Sequence, residues 1–256
     1  MTLSSTATTR SEKIRNRILV LQHVECEPPA AYEDILRTRQ IDIDRIQLGN
    51  GESLPNWREY DALIVMGGPM GANDDEQFPW LRDERALIAE AVGEGLPYWG
   101  VCLGAQLLAS AFGADIYRGD SPEVGMCDVT ITDDAVDDPV FSRLSGTYPV
   151  FQWHSDSFTL PPGFQRLCKS TKYENQVIAN GAAYGIQFHV EVTENLAIEW
   201  GQIPEYRDAL ESLYGEGASE RIVDDLRANS AGNLKLAQTI FTAWLNTFVV
   251  ETKTVR

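Results

Sequence analysis

"PYWGVCLGAQLLASAFG", residues 97–113, changes its period halfway along. Up to Val101 it is an apolar run of the kind that makes a buried strand. From Leu103 the apolar residues recur at helical spacing until Gly113 closes the pattern. Cys102 stands on the seam, between Gly100 and Gly104. Strand, sharp turn and helix with G-x-C-x-G across the seam is the geometry of a nucleophile elbow. The glycines let the backbone turn tightly and keep side chains away from the neighbouring strand and helix. An elbow of this kind presents its central side chain at the carboxyl edge of an open α/β sheet, where such folds hold their sites. It also sets that side chain at a helix N-terminus, where the dipole and free N–H groups favour a thiolate. A buried thiol acting as a small hydrophobe is the other reading. The stretch alone leaves both open.

Outward from this seam, strand-like runs occur at Arg17–Val24, at "IDRIQLG" (43–49) and at Asp61–Met66, the last entering a glycine loop, "GGPMG" (67–71). Helical spacing is expected near residues 30–39 and 80–93. This alternation predicts a mostly parallel central sheet with helices on both faces. Residues 114–190 are expected to form six shorter strands in an antiparallel or mixed region: 114–119, 125–132, 148–158, 164–170, 175–181 and 182–192. From Thr193 the pattern turns helical, with breaks expected at Pro204, Gly215–Gly217 and Asn229–Gly232, and a packing helix over 234–249. The expected organisation is a flexible tail at 1–16, an α/β domain at 17–200, and a helical extension at 201–256 packed on the same domain.

The net charge of −17 over 256 residues argues against a nucleic-acid surface and against anionic lipid. No apolar run approaches the roughly 18 residues of a membrane span, and the polar start has no signal-peptide core. The four cysteines, Cys26, Cys102, Cys127 and Cys168, are widely spaced, which points to a reducing cytoplasm. No metal site and no cofactor are expected, because the three histidines are dispersed.

A cysteine nucleophile needs a base and a group to orient it. His23 ends the first strand and reads as structural. His154 and His189 both lie in strand-like runs. In "GIQFHVEV" Glu191 follows His189 by two, and a strand's period of two sends both to one face. A carboxylate there would fix the imidazole tautomer and stabilise the imidazolium. A chance His-x-Glu on a surface strand is the plain alternative. The oxyanion of an acyl transfer needs backbone N–H donors, which Leu103 and Gly68 offer. The glycine loop lacks both GxxxxGK[ST] and GxGxxG, so a nucleotide cradle is a poor reading of it.

Taken together, Gly67-Gly68-Pro69, "GVCLGAQLLA" around Cys102 and "YGIQFHVE" with His189 and Glu191 resemble the class I (triad) glutamine amidotransferases, in motifs and in their order. The resemblance covers roughly residues 17–200. It implies a flavodoxin-like fold and hydrolysis of the glutamine side-chain amide through a γ-glutamyl thioester. It also implies substrate contacts from Gly67, Gln106, and the stretch Trp153-His154-Ser155-Asp156 at the amino-acid end of glutamine. "VFQWHSDSFTLPPG" is similar to the stand-alone branch near the GMP synthetase amidotransferase, and that branch also resembles plant γ-glutamyl peptidases. Two departures stand out: Val190 replaces the usual proline between His189 and Glu191, and the chain after Thr193 exceeds the minimal domain.

These readings imply a small-molecule substrate, either glutamine with ammonia passed to a separate synthase partner, or a γ-glutamyl peptide or conjugate hydrolysed for its own sake. A homodimer fits either. A catalytically silent binding protein is a further alternative. An α/β-hydrolase is disfavoured, because there the acid precedes the histidine.

Overall fold

The computed structural model describes residues 16–250, so the expected tail lies outside the described residues except for Asn16. The first half alternates as its apolar periods require: β1 (Arg17–Gln22), α1 (Ala31–Thr38), β2 (Asp42–Gln47), β3 (Ala62–Val65), α2 (Trp80–Gly93), β4 (Tyr98–Val101) and α3 (Leu103–Ala111). All four residues of β3 and of β4 are buried, because helices cover both faces of the sheet. Along β1, Ile18 and Val20 enter one core while Leu19 and Leu21 enter the other. Period-two alternation thus feeds two hydrophobic layers at once.

The second half supplies β5 (Ile116–Ile131), β6 (Thr147–Phe158), β7 (Gln165–Ser170), β8 (Val177–Asn180) and β9 (Ala183–Ile186). Three helices follow: α4 (Glu194–Gln202), α5 (Pro204–Tyr214) and α6 (Ala218–Trp244). Among the described residues the strands form one sheet in the order β2-β1-β3-β4-β9-β8-β7-β5-β6. The pairs from β2 to β9 are parallel, and those from β9 to β6 are antiparallel. The parallel half has the flavodoxin-like order, which places a site at the carboxyl ends of its strands.

Three details differ from the sequence pattern. The strands expected at 114–119 and 125–132 are one bent strand, β5, whose register against β6 shifts between Arg118 and Glu123. β9 ends at Ile186, because its partner β8 begins opposite, at Val177. The break expected at Asn229–Gly232 is absent, and α6 runs through it. An exposed glycine within a helix costs about 1 kcal/mol. Burying Leu226, Leu236 or Ile240 contributes about 1.5–3 kcal/mol each, so the helix persists.

α6 closes one face of the sheet together with α1. Trp244 packs on Trp99 with ring centroids 5.4 Å apart and stacks on Phe241 at 5.5 Å, and its Nε1 donates to the Ala182 carbonyl at 2.9 Å. α4 and α5 instead turn back over the carboxyl edge, where Trp200 Nε1 donates to the Cys26 carbonyl at 2.7 Å. No helix among the described residues is long and apolar enough to cross a membrane.

Candidate active site

The carboxyl ends of β3 and β4, together with the chain after β9, border a cleft of about 670 Å³. Cys102 lies on its wall at the elbow between β4 and α3, 7% exposed. Its φ of 51° is left-handed, a conformation that costs a non-glycine residue on the order of 1–3 kcal/mol. The surroundings hold it there. Cys102 N–H donates to the Ile186 carbonyl at 2.8 Å, and its own carbonyl accepts the N–H groups of Ala105 and Gln106. A Cβ on Gly104 would lie 2.2 Å from the Val65 carbonyl oxygen, and one on Gly100 would lie 2.7 Å from Gly104 backbone. Only glycine at both positions lets α3 start so close to the sheet.

His189 and Glu191 lie beyond β9, not within a long strand as their spacing suggested. A one-residue bridge to Phe151 keeps the segment extended, with His189 N–H donating to the Phe151 carbonyl at 2.8 Å. His189 Nδ1 is 2.7 Å from Glu191 Oε1, while Glu191 Oε2 accepts Val190 N–H at 3.0 Å. Both carboxylate oxygens are therefore engaged, and the Cys102 sulfur lies near enough to the ring to help hold its proton, while the sulfur itself is 3.8 Å from the Trp153 carbonyl and 3.7 Å from Gln187 Nε2. A Cβ on Gly67 would sit 3.5 Å from both Cys102 Cβ and His189 Cε1. Burial alone would push the imidazole pKa down, but the Glu191 carboxylate and the Cys102 sulfur outweigh it and hold it well above the usual histidine value. This favours an imidazolium facing the cysteine.

Gly68 lies on the cleft wall, and Leu103 opens α3, where N–H groups have no intrahelical acceptor. The two are adjacent: a Cβ on Gly68 would lie 3.1 Å from Leu103 Cδ2. Gly67 is set behind the wall. Its carbonyl faces His23 Nδ1 at 2.8 Å, and His23 Nε2 meets buried Glu84 at 3.1 Å. His23 is thus a brace for the glycine loop, stacked on Trp80 at 5.5 Å.

Gln106, His154, Ser155 and Asp156 also line the cleft. Gln106 Nε2 donates to Gln187 Oε1 at 3.2 Å, and Gln187 Nε2 lies 3.7 Å from the Cys102 sulfur. His154 is tied at both nitrogens, to the Asp156 carbonyl at 2.9 Å and to Glu123 Oε2 at 3.1 Å. Glu123 also accepts from Ser170 at 2.7 Å and from Gln176 at 2.7 Å. Burial would raise its pKa, but these donors outweigh burial and lower it. Both ring nitrogens of His154 are therefore taken up within the β5–β6 ladder.

The sequence reading missed Glu27, Arg118, Gln187, Trp200 and Tyr206. Gln187 stood inside the quoted "GIQFHVE" and was there to be found. Arg118 pairs with Asp156 at 3.4 Å because the two stand directly opposite each other in the β5–β6 ladder. Tyr206 reaches the site from α5, and its hydroxyl donates to Glu27 Oε1 at 2.9 Å across 179 residues. No local signal announces such a contact.

A family model described as "Glutamine amidotransferase class-I" matches residues 33–197. The chain is 31% identical over 182 residues to the glutamine amidotransferase-like protein YfeJ of Salmonella typhimurium, covering 69% of this chain and 76% of that one. It is 26% identical over 158 residues to one subunit of the glutamine-hydrolyzing GMP synthase of Sulfolobus acidocaldarius, covering 60% and 79%. The crystal structure of a glutamine amidotransferase from Thermotoga maritima superposes with a TM-score of 0.82 at 33% identity, covering 91% of this chain and 99% of that one.

Proposed function

The chain belongs to the class-I glutamine amidotransferase family, and from that premise we propose that it hydrolyses γ-glutamyl amides through a thioester on Cys102. The observation that carries this reading is the His189–Glu191 pair, 2.7 Å apart and facing the elbow cysteine. The Cys102 thiolate attacks the γ-carbonyl carbon, and the oxyanion is held under the N–H groups of Gly68 and Leu103. The C–N bond breaks as His189 gives its proton to the departing nitrogen. Neutral His189 then takes a proton from water. The resulting hydroxide displaces sulfur from the acyl carbon, releasing the γ-glutamyl acid and restoring thiolate and imidazolium. Glu191 keeps the imidazole in the required tautomer throughout.

Glutamine is the smallest substrate of this kind, with its α-amino and α-carboxylate groups matched by Asp156 and Arg118 beside Gln106 and Ser155. The similarity to part of a GMP synthase supports handing the ammonia to a separate synthase partner. A second reading, release of a larger amine from a γ-glutamyl conjugate, is favoured by the cleft's volume of about 670 Å³. Departing ammonia needs only about the 30 Å³ of a water molecule. Incubation with an electrophilic glutamine analogue, followed by peptide mapping, tests the chemistry. Stoichiometric modification of Cys102 and ammonia release from glutamine are expected. A protein that stays unlabelled and inactive, with or without cell extract, would be a silent binding protein.

A further inference from the structure

The cleft wall beside His189 consists of Glu27, Trp153, Trp200 and Tyr206. The three rings pack on one another, Trp153 lying 5.2 Å from Tyr206 and 5.6 Å from Trp200. Trp200 stands edge-on to His189 at 5.7 Å. Glu27 lies at the base of this aromatic wall. Its Oε1 accepts the Tyr206 hydroxyl, while its Oε2 has no hydrogen-bond donor among the described residues. Oε2 lies against the glycine loop, where a Cβ on Gly67 would meet it at 2.4 Å. Two further carboxylates line the cleft away from these rings, Asp74, whose Oδ2 accepts Gly71 N–H at 2.7 Å, and Asp156, whose Oδ1 pairs with Arg118. Arg118, the guanidinium that lines the cleft, is paired with Asp156.

We propose that this wall is a subsite for a leaving amine that carries a second positive charge, so that the enzyme's substrates are γ-glutamyl conjugates of diamines or longer polyamines. The inference rests on the hydrolase reading above, and in particular on His189 protonating the departing nitrogen, because that places the remainder of the leaving group against Glu27 and the rings. An ammonium held over indole and phenol faces gains cation–π attraction. Burial raises the Glu27 pKa, and an ammonium donating to its second oxygen would draw the carboxyl back to the ionised form through a charge-assisted hydrogen bond. A neutral leaving group would add no donor for Glu27 Oε2 beyond the nearby charges of His189 and His23, and an anionic one would be repelled. The net charge of −17 also draws a cationic substrate toward the chain. The distal ammonium is bound and released unchanged. The bonds made and broken are those of the thioester cycle, and the products are glutamate and the free diamine.

Three purified substrates test this with the full chain: γ-glutamylputrescine, γ-glutamyl-n-butylamide of the same reach without the charge, and γ-glutamylglutamate. The expected kcat/KM for the cationic conjugate exceeds that for the butylamide by about tenfold, the size of one exposed charge pair plus one cation–π contact. Glu27→Gln, which keeps an acceptor for Tyr206, is expected to bring that ratio close to one. Equal or better cleavage of the neutral or anionic conjugate, or an unchanged ratio in Glu27→Gln, overturns the proposal and leaves the hydrolase reading intact. If glutamine and all three conjugates resist the wild-type chain, the hydrolase reading itself fails and takes the proposal with it. Calorimetric titration of Cys102→Ala with the putrescine and butyl conjugates reads the same preference as a ratio of Kd values, independent of turnover and of how Glu27→Gln folds.

Discussion

His189 Nδ1 and Glu191 Oε1 lie 2.7 Å apart, two residues along one extended segment, with each side chain only 3% exposed. The carboxylate outweighs the effect of burial and keeps the imidazole protonated above its usual pKa of 6.5. The alkaline limb of the kcat/KM profile, where His189 loses its proton, is therefore expected above that value. Glu191→Gln removes the main group holding the pKa up, so the limb should move to lower pH. Activity should also fall by about 10²–10⁴ as the tautomer is lost. A pH–rate profile with an unmoved limb would show that Glu191 does not set the charge of His189.

The left-handed backbone of Cys102 sets activity against stability. Cys102→Ala and Cys102→Gly should both lose amide hydrolysis by several orders of magnitude, since the members of a catalytic unit act together. Alanine keeps the strained Cβ at φ 51° and glycine does not, so the glycine variant should be the more stable by about 1 kcal/mol. Urea unfolding of the two variants measures this, and a more stable alanine variant would mean that the elbow stores no strain.

Gly104 lets α3 start hard against β3, since an added Cβ would lie 2.2 Å from the Val65 carbonyl oxygen. Backbone cannot swing aside as a side chain does. Gly104→Ala should cost about 1–3 kcal/mol in stability. It should also lose more activity than the unfolded fraction accounts for, because the Leu103 N–H moves with the helix start. Residual kcat/KM measured well below the melting temperature separates the two effects.

Glu123 accepts hydrogen bonds from Ser170 and Gln176 and also meets His154, and its pKa is lowered below the ordinary 4.5 despite burial. A lowered native pKa gives stability that is full above about pH 4.5 and is lost as pH falls through the native value. Wild type should therefore lose its advantage over Glu123→Gln on acidification below that point. Denaturant midpoints of the two proteins between neutral pH and about pH 3 check it, and a difference that stays constant refutes it.

Trp244 is fully buried between Trp99 and Phe241 and donates to Ala182. Trp244→Ala should cost about 3–5 kcal/mol, measured by chemical denaturation. A smaller loss would mean that α6 only lies along the sheet.

The elements proposed to carry the chemistry were legible because their signals are local. In residues 97–113 the change from strand to helix period, with glycines on both sides of one cysteine, specifies an elbow whatever the rest of the chain does. His189 and Glu191 meet because two residues of extended chain put them on one side, even though β9 stops earlier at Ile186. Gly232 misled the reading of α6 because propensity is a weak local term. The burial that overrode it depends on a sheet face more than a hundred residues away in sequence.

Spacing and period alone determined the alternating parallel half of the sheet, the elbow cysteine and the His-x-Glu pair. Tertiary structure alone decided that Tyr206 would reach Glu27, that Arg118 would meet Asp156, and that α6 would seal the face carrying Trp99. The reason is physical. Local spacing fixes which way a side chain leaves its own element, whereas a contact across 179 residues exists only after the chain has closed its loops and packed two cores.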